Sequence, residues 1–139
     1  MGKNPVYWMI ASATGMVVGS LGPWATVLGI DVAGTEGDGT PVLIAALLAG
    51  VLVAVKRTRV RWALIVALLA GAFGALVSFS DLSDISTVAD GTLFEGAVSA
   101  GWGLYLCAAS SVSLVLTAIA GLRCRRSQVR AQAAPAAAG

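Results

Sequence analysis

Basic and acidic residues never share a stretch of this 139-residue chain. Lys3, then Lys56, Arg57, Arg59 and Arg61, then Arg123, Arg125, Arg126 and Arg130 account for every cation. Between them stand Asp31, Glu36 and Asp38, and later Asp81, Asp84, Asp90 and Glu95, which account for every anion. Long apolar runs separate the blocks. In a membrane protein Lys and Arg hold loops on the cytoplasmic side, so the alternation reads as a topology in which basic loops stay inside and acidic loops lie outside.

Composition agrees with a chain that folds in lipid. With 58% hydrophobic and 12% charged residues, and a mean hydropathy of +0.87, it holds more apolar side chain than a soluble domain of this size buries. The bilayer is therefore the first partner expected. A net charge of +2, without a basic patch on one face, excludes a nucleic-acid backbone as a partner. Histidine is absent, which removes the commonest general base, proton shuttle and metal ligand together.

Cys107 and Cys124 fall on what reads as one helix, roughly 25 Å apart at 1.5 Å per residue, too far to pair. No CxxC, zinc set or phosphate-binding loop occurs, and no nucleophile has a base beside it. No cofactor or metal is expected, and the chain reads as non-catalytic.

The first apolar run starts at Val6 behind a single cation, Lys3. It exceeds the about 7 to 15 residues of a signal-peptide core, so it reads as a retained helix. Span one covers 5–24, with Tyr7 and Trp8 at one interface and Trp24 at the other. Ala25 to Ala33 is rich in β-branched residues and reads as extended, followed by a glycine-shaped turn.

Span two, 41–55, opens on Thr40 as N-cap and Pro41 at the first helical position. Span three, 62–79, follows a short basic turn and packs beside it. Residues 80–95 read as a second outer loop, 96–122 as span four, and 123–139 as a disordered tail, basic and then alanine-rich. The expected architecture is an all-α polytopic membrane protein. It has four transmembrane helices in an antiparallel bundle and a short extended segment in the first outer loop.

Small residues recur every fourth position. Ala11, Gly15 and Gly19 in span one, Ala46 and Gly50 in span two, Gly71 in span three and Gly103 in span four predict faces where helix backbones approach closely. Such faces serve packing within the monomer, self-association or docking of another membrane protein. Ser110, Ser113 and Thr117 form a hydroxyl seam on span four, and Trp102 and Tyr105 lie near its start. Serine and threonine in membrane helices mostly bond to carbonyls or knit neighbours. The other reading is a pore or pocket lining in an oligomeric transporter or channel subunit.

No charge lies at mid-membrane, which argues against proton-driven transport. The outer acids Asp31, Glu36, Asp38, Asp81, Asp84, Asp90 and Glu95 lack EF-hand spacing and read as a solvated docking surface.

Pro23-Trp24, the Gly29-Ile30-Asp31-Val32-Ala33-Gly34 segment ending in Gly37-Asp38-Gly39, and Gly101-Trp102-Gly103-Leu104-Tyr105 together resemble small four-span membrane proteins of high-GC actinobacteria. The resemblance runs from Met1 to about Arg126. It implies a bacterial membrane protein and no particular activity, and the charge pattern adds a multi-pass plasma-membrane topology with both termini cytoplasmic. The function expected is that of a membrane accessory protein, docking onto itself or onto a larger complex.

Overall fold

A computed structural model describes residues 5–37, 39–56, 61–91 and 98–133. The chain is mostly helical. Helix α1 spans Pro5–Leu21, α2 Gly39–Lys56, α3 Arg61–Gly91 and α4 Trp102–Ala133. Three short strands, β1 (Pro23–Val27), β2 (Ile30–Ala33) and β3 (Val98–Ala100), form one antiparallel sheet with β1 in the centre.

Local chemistry sets these boundaries. Pro5 opens α1 where its missing N–H costs nothing. The helix closes at Gly22, whose N–H reaches back to Val18 O at 3.0 Å, and Pro23 cannot continue it. Span one was expected to run to Trp24, but Pro23 and Trp24 belong to β1. The extended segment expected after it folds as a hairpin, in which Leu28 (φ 52°) and Gly29 (φ 82°) form the turn. Two consecutive positive φ values give the type I′ geometry that matches strand twist. A 3-10 turn, Gly34–Glu36, then leads toward α2.

The third strand departs from the expected bounds of span four. Val98–Ala100 was expected inside span four, yet it pairs with β1 in the register Ala25↔Ala100, Thr26↔Ser99 and Val27↔Val98. Gly101 N–H donates to Trp24 O at 2.8 Å and starts α4. Thr40, expected to cap α2, lies within it, and its hydroxyl donates to Thr35 O at 2.9 Å.

Two helices outrun their expected ends. α3 passes Phe79 and continues to Gly91, through most of the expected second outer loop. Leu82 and Ile85 pack against the core, and Ser86 and Thr87 hydroxyls return to Ser83 O at 2.7 and 2.9 Å. The polar residues there decorate a helix whose apolar pair keeps it docked. α4 likewise continues to Ala133, so 123–133, expected to be disordered, is helical. Ser127 Oγ donates to Cys124 O at 2.8 Å within it. Positions 134–139 of the expected tail lie outside the described residues.

α1 packs against α2 and α4, and α3 packs against the same two. Met9, Met16, Val42, Val53, Leu64, Leu104 and Leu114 fill the space between them. α3 and α4 are long and apolar enough to cross a membrane, and α1 and α2 are shorter apolar helices. From Arg61 to Asp81 on α3 is twenty positions, about 30 Å, the thickness of a hydrocarbon core. The sheet and the 3-10 turn sit at the acidic end of these helices, beside Asp81 and Asp84. The arginines lie at the other end, where Arg61 of α3 meets Arg125, Arg126 and Arg130 of α4.

Candidate functional site

The acidic end is built around Trp24. This residue was expected to anchor span one at the lipid interface, but it is only 6% exposed. Its indole N–H donates to Gly19 O at 2.9 Å, which satisfies the polar atom that a buried tryptophan carries. Gly34 roofs the ring so closely that a Cβ there would collide with the indole nitrogen, and a Cβ on Gly39 would meet Gly34 C at 2.7 Å. The segment that follows α1 is thus fastened down over it.

Fastening brings acids from two segments together. Glu36, Asp81 and Asp84 line a cleft of about 270 Å³ with Trp24, Val32 and Ile85. Asp31 stands apart on β2, where its Oδ1 accepts from Thr26 Oγ1 across the hairpin at 2.7 Å. Among the described residues no group of three or more acids or cysteines is arranged to hold a metal ion. Asp38 and Glu95 lie outside the described residues, as does the side chain of Asp90.

Beyond the cleft the hairpin tip is apolar. Leu28 is 79% exposed and Ile30 71% exposed, with Val27 beside them. A bulky side chain in the left-handed region costs about 1–2 kcal/mol, and Asn-Gly or Asp-Gly is the ordinary choice for this turn. The strained position therefore carries an exposed leucine where a polar residue would fit better. The sequence signal was the Val27-Leu28-Gly29-Ile30 run, which reads as strand interior unless Leu28-Gly29 is recognised as the turn.

The small-residue faces divide between α1, α3 and α4. A Cβ on Gly19 would stand 2.7 Å from Cys107 N and 2.8 Å from Gly103 O; one on Gly103 would stand 2.7 Å from Gly19 O. These two glycines mark the backbone crossing of α1 and α4. Gly15 faces Ser110 Oγ, and a Cβ on Gly71 would stand 3.1 Å from Ser111 O.

Gly74, not singled out from the sequence, is as tight, with Met16 Cε and Ser111 Oγ at 2.5 and 2.6 Å from its Cβ position. Ala46 is fully buried. A Cβ on Gly50 would stand 3.4 Å from Ala13 Cβ, an ordinary contact, so a methyl fits there. Ala11 is exposed and takes no part in packing within the chain. Four-residue steps advance about 40° beyond each full turn, so the row drifts off the contact face that Met9, Ser12, Met16 and Ser20 define.

The hydroxyl seam faces α1. Ser12 Oγ and Ser113 Oγ share a hydrogen bond at 2.9 Å, Ser110 is buried against Gly15, and Thr117 Oγ1 donates to Ser113 O at 2.8 Å. Trp102 and Tyr105, weighed as a pocket, are more than half exposed on the outer surface of α4. The Trp102 ring lies over Gly22. Ser78 and Ser111 hydroxyls are buried without a hydrogen-bond partner among the described residues.

No family model matches the chain, and neither curated proteins nor solved structures give a match.

Proposed function

We propose that this chain is a non-catalytic integral membrane accessory protein of a bacterial cell envelope, which docks onto a partner or a second copy through its outer hairpin. In this reading all four helices cross the plasma membrane as an antiparallel bundle, with both termini cytoplasmic. Support comes from the segregated charges and from the outward faces of the helices. Only 39% of the span-length window is buried in α3, and the same share in α4. Leu69, Leu76 and Leu116 are exposed on them. A core helix of a soluble protein is mostly covered, whereas these faces suit lipid. At about 26 and 27 Å, α1 and α2 span the core with slight thinning.

One observation carries the docking role: the Leu28 tip, strained and apolar, at the end that charge assigns to the outside. Strain that persists with no packing benefit inside the chain points to a use beyond it. Asp31 stands next to the tip in the chain, and Glu36, Asp81 and Asp84 line the cleft at the base of the hairpin.

Purification in mild detergent followed by mass spectrometry tests this. Wild type should carry a partner or itself at fixed stoichiometry, and Leu28→Asn should lose it while remaining folded. Unchanged stoichiometry in the variant, or a wild type that runs alone as a monomer, would sink the docking role.

A further inference from the structure

At the arginine end, α3 and α4 line a half-open cavity of about 560 Å³. Four guanidinium groups line it, Arg61 from the first turn of α3 and Arg125, Arg126 and Arg130 from α4, with Ile65, Leu122 and Val129 between them. No acidic side chain lies near them in the sequence. The acids fall at 31–38 and 81–95, and the link between α2 and α3 contains none. Arg125 Nη1 is closed off from solvent and has no hydrogen-bond partner among the described residues. A buried guanidinium N–H that has lost water without gaining an acceptor is a defect, and an anion corrects it.

Phosphate fits best. Arginine presents a planar fork that matches phosphate oxygens two at a time, and several forks converge here from two helices. The first-turn N–H groups of α3 add a partial positive charge of the same sense.

Depth decides where the phosphate comes from. Trp62, next to Arg61, is 72% exposed, and Tyr7 and Trp8 are exposed near the start of α1. Exposed aromatics at a helix end mark headgroup level. A cavity at that level, half arginine and half aliphatic, presents cations to a headgroup and an apolar wall to the glycerol and first methylenes below it. We infer that this cavity binds the phosphate of an anionic phospholipid of the cytoplasmic leaflet, an inference that rests on the membrane reading above.

The full chain in nonionic detergent is titrated with phosphatidylglycerol, phosphatidylcholine or soluble glycerol phosphate, and followed by thermal melting and native mass spectrometry. Phosphatidylglycerol should raise the melting temperature and persist as an adduct; the other two should not. Arg125→Gln and Arg130→Gln should each weaken phosphatidylglycerol binding by about tenfold. Arg123→Gln, outside the cavity, should leave it unchanged. Arg130 is exposed, so its variant reports even where Arg125→Gln fails to fold.

Equal binding of the two lipids, or an equal loss in Arg123→Gln, overturns the site. Glycerol phosphate binding as tightly as phosphatidylglycerol overturns the lipid as its source. An alkaline carbonate wash of cell membranes separates the two readings. A chain that stays in the pellet but does not prefer phosphatidylglycerol loses the site alone. A chain released by the wash loses the membrane reading, and the lipid with it.

Discussion

At the level of single residues, this protein is held by close approach. Gly19 and Gly103 meet backbone to backbone, so an added methyl cannot be relieved by turning a side chain. Gly19→Ala should therefore lose about 1–3 kcal/mol through overpacking. Gly50→Ala, with only an ordinary contact to Ala13 at 3.4 Å, should be neutral or slightly stabilising because alanine favours the helix. Thermal unfolding of both variants in detergent checks this, and equal melting temperatures would show that the α1–α4 crossing has slack.

Hydroxyls divide by the same logic. Ser12 bonds Trp8 O at 2.8 Å and Ser113 across the helices at 2.9 Å, so Ser12→Ala should lose about 1 kcal/mol. Ser111 is fully buried and has no hydrogen-bond partner among the described residues. Ser111→Ala should be neutral or stabilising, because it removes a desolvated group that gains nothing in return. A large destabilisation of Ser111→Ala, read by the same melts, would mean that a buried water serves the hydroxyl.

Among the elements, the hairpin and the far end of α3 carry the most consequence. Leu28→Gly relieves a left-handed leucine and should raise stability by about 1 kcal/mol, measured by thermal or denaturant unfolding. A fall instead would place the leucine in a packing role. Ile85→Ala should detach the end of α3 from the cleft below Trp24 and lose about 1–2 kcal/mol, less than a full core truncation because Ile85 is only half-buried.

These elements also show what the sequence made legible. Apolar length and charge alternation located four helices, and the β-branched Thr26, Val27, Ile30 and Val32 announced an extended segment. Where the helices end was hidden, because Ser80-to-Asp90 looks like loop by composition. Only the Leu82, Ile85 spacing betrays a helix with one docked face. β3 was hidden for a different reason. Val98-Ser99-Ala100 has no periodicity of its own, and it is a strand because β1 offers an edge. Trp24 was misread as an interface anchor because the roof that buries it, Gly34 with Gly39, lies ten or more positions further on.

At the scale of the whole molecule, the separation of charge along the chain becomes, among the described residues, a separation in space, with Glu36, Asp81 and Asp84 beside the sheet and Arg61, Arg125, Arg126 and Arg130 at the opposite helix ends. Two cysteines can report on the proposed topology. Cys124 is exposed among the arginines, while Cys107 is buried between helices. A membrane-impermeant maleimide applied to intact cells should therefore leave the wild-type chain unlabelled, and detergent or a permeant reagent should expose one thiol. In a Cys124→Ser background, Ser83→Cys, exposed on the acidic end of α3, should react from outside without permeabilisation.

In the proposed topology the orienting force is the set of Lys and Arg residues near the helix ends, since acidic residues contribute little. Asp81→Asn with Asp84→Asn should leave this labelling pattern intact. Replacing Arg57, Arg59 and Arg61 with Gln should blur it, because the central basic block then no longer holds its loop inside. Labelling of Cys124 in sealed cells would invert the molecule, place the arginine cavity in the outer leaflet and turn the Leu28 hairpin toward the cytoplasm.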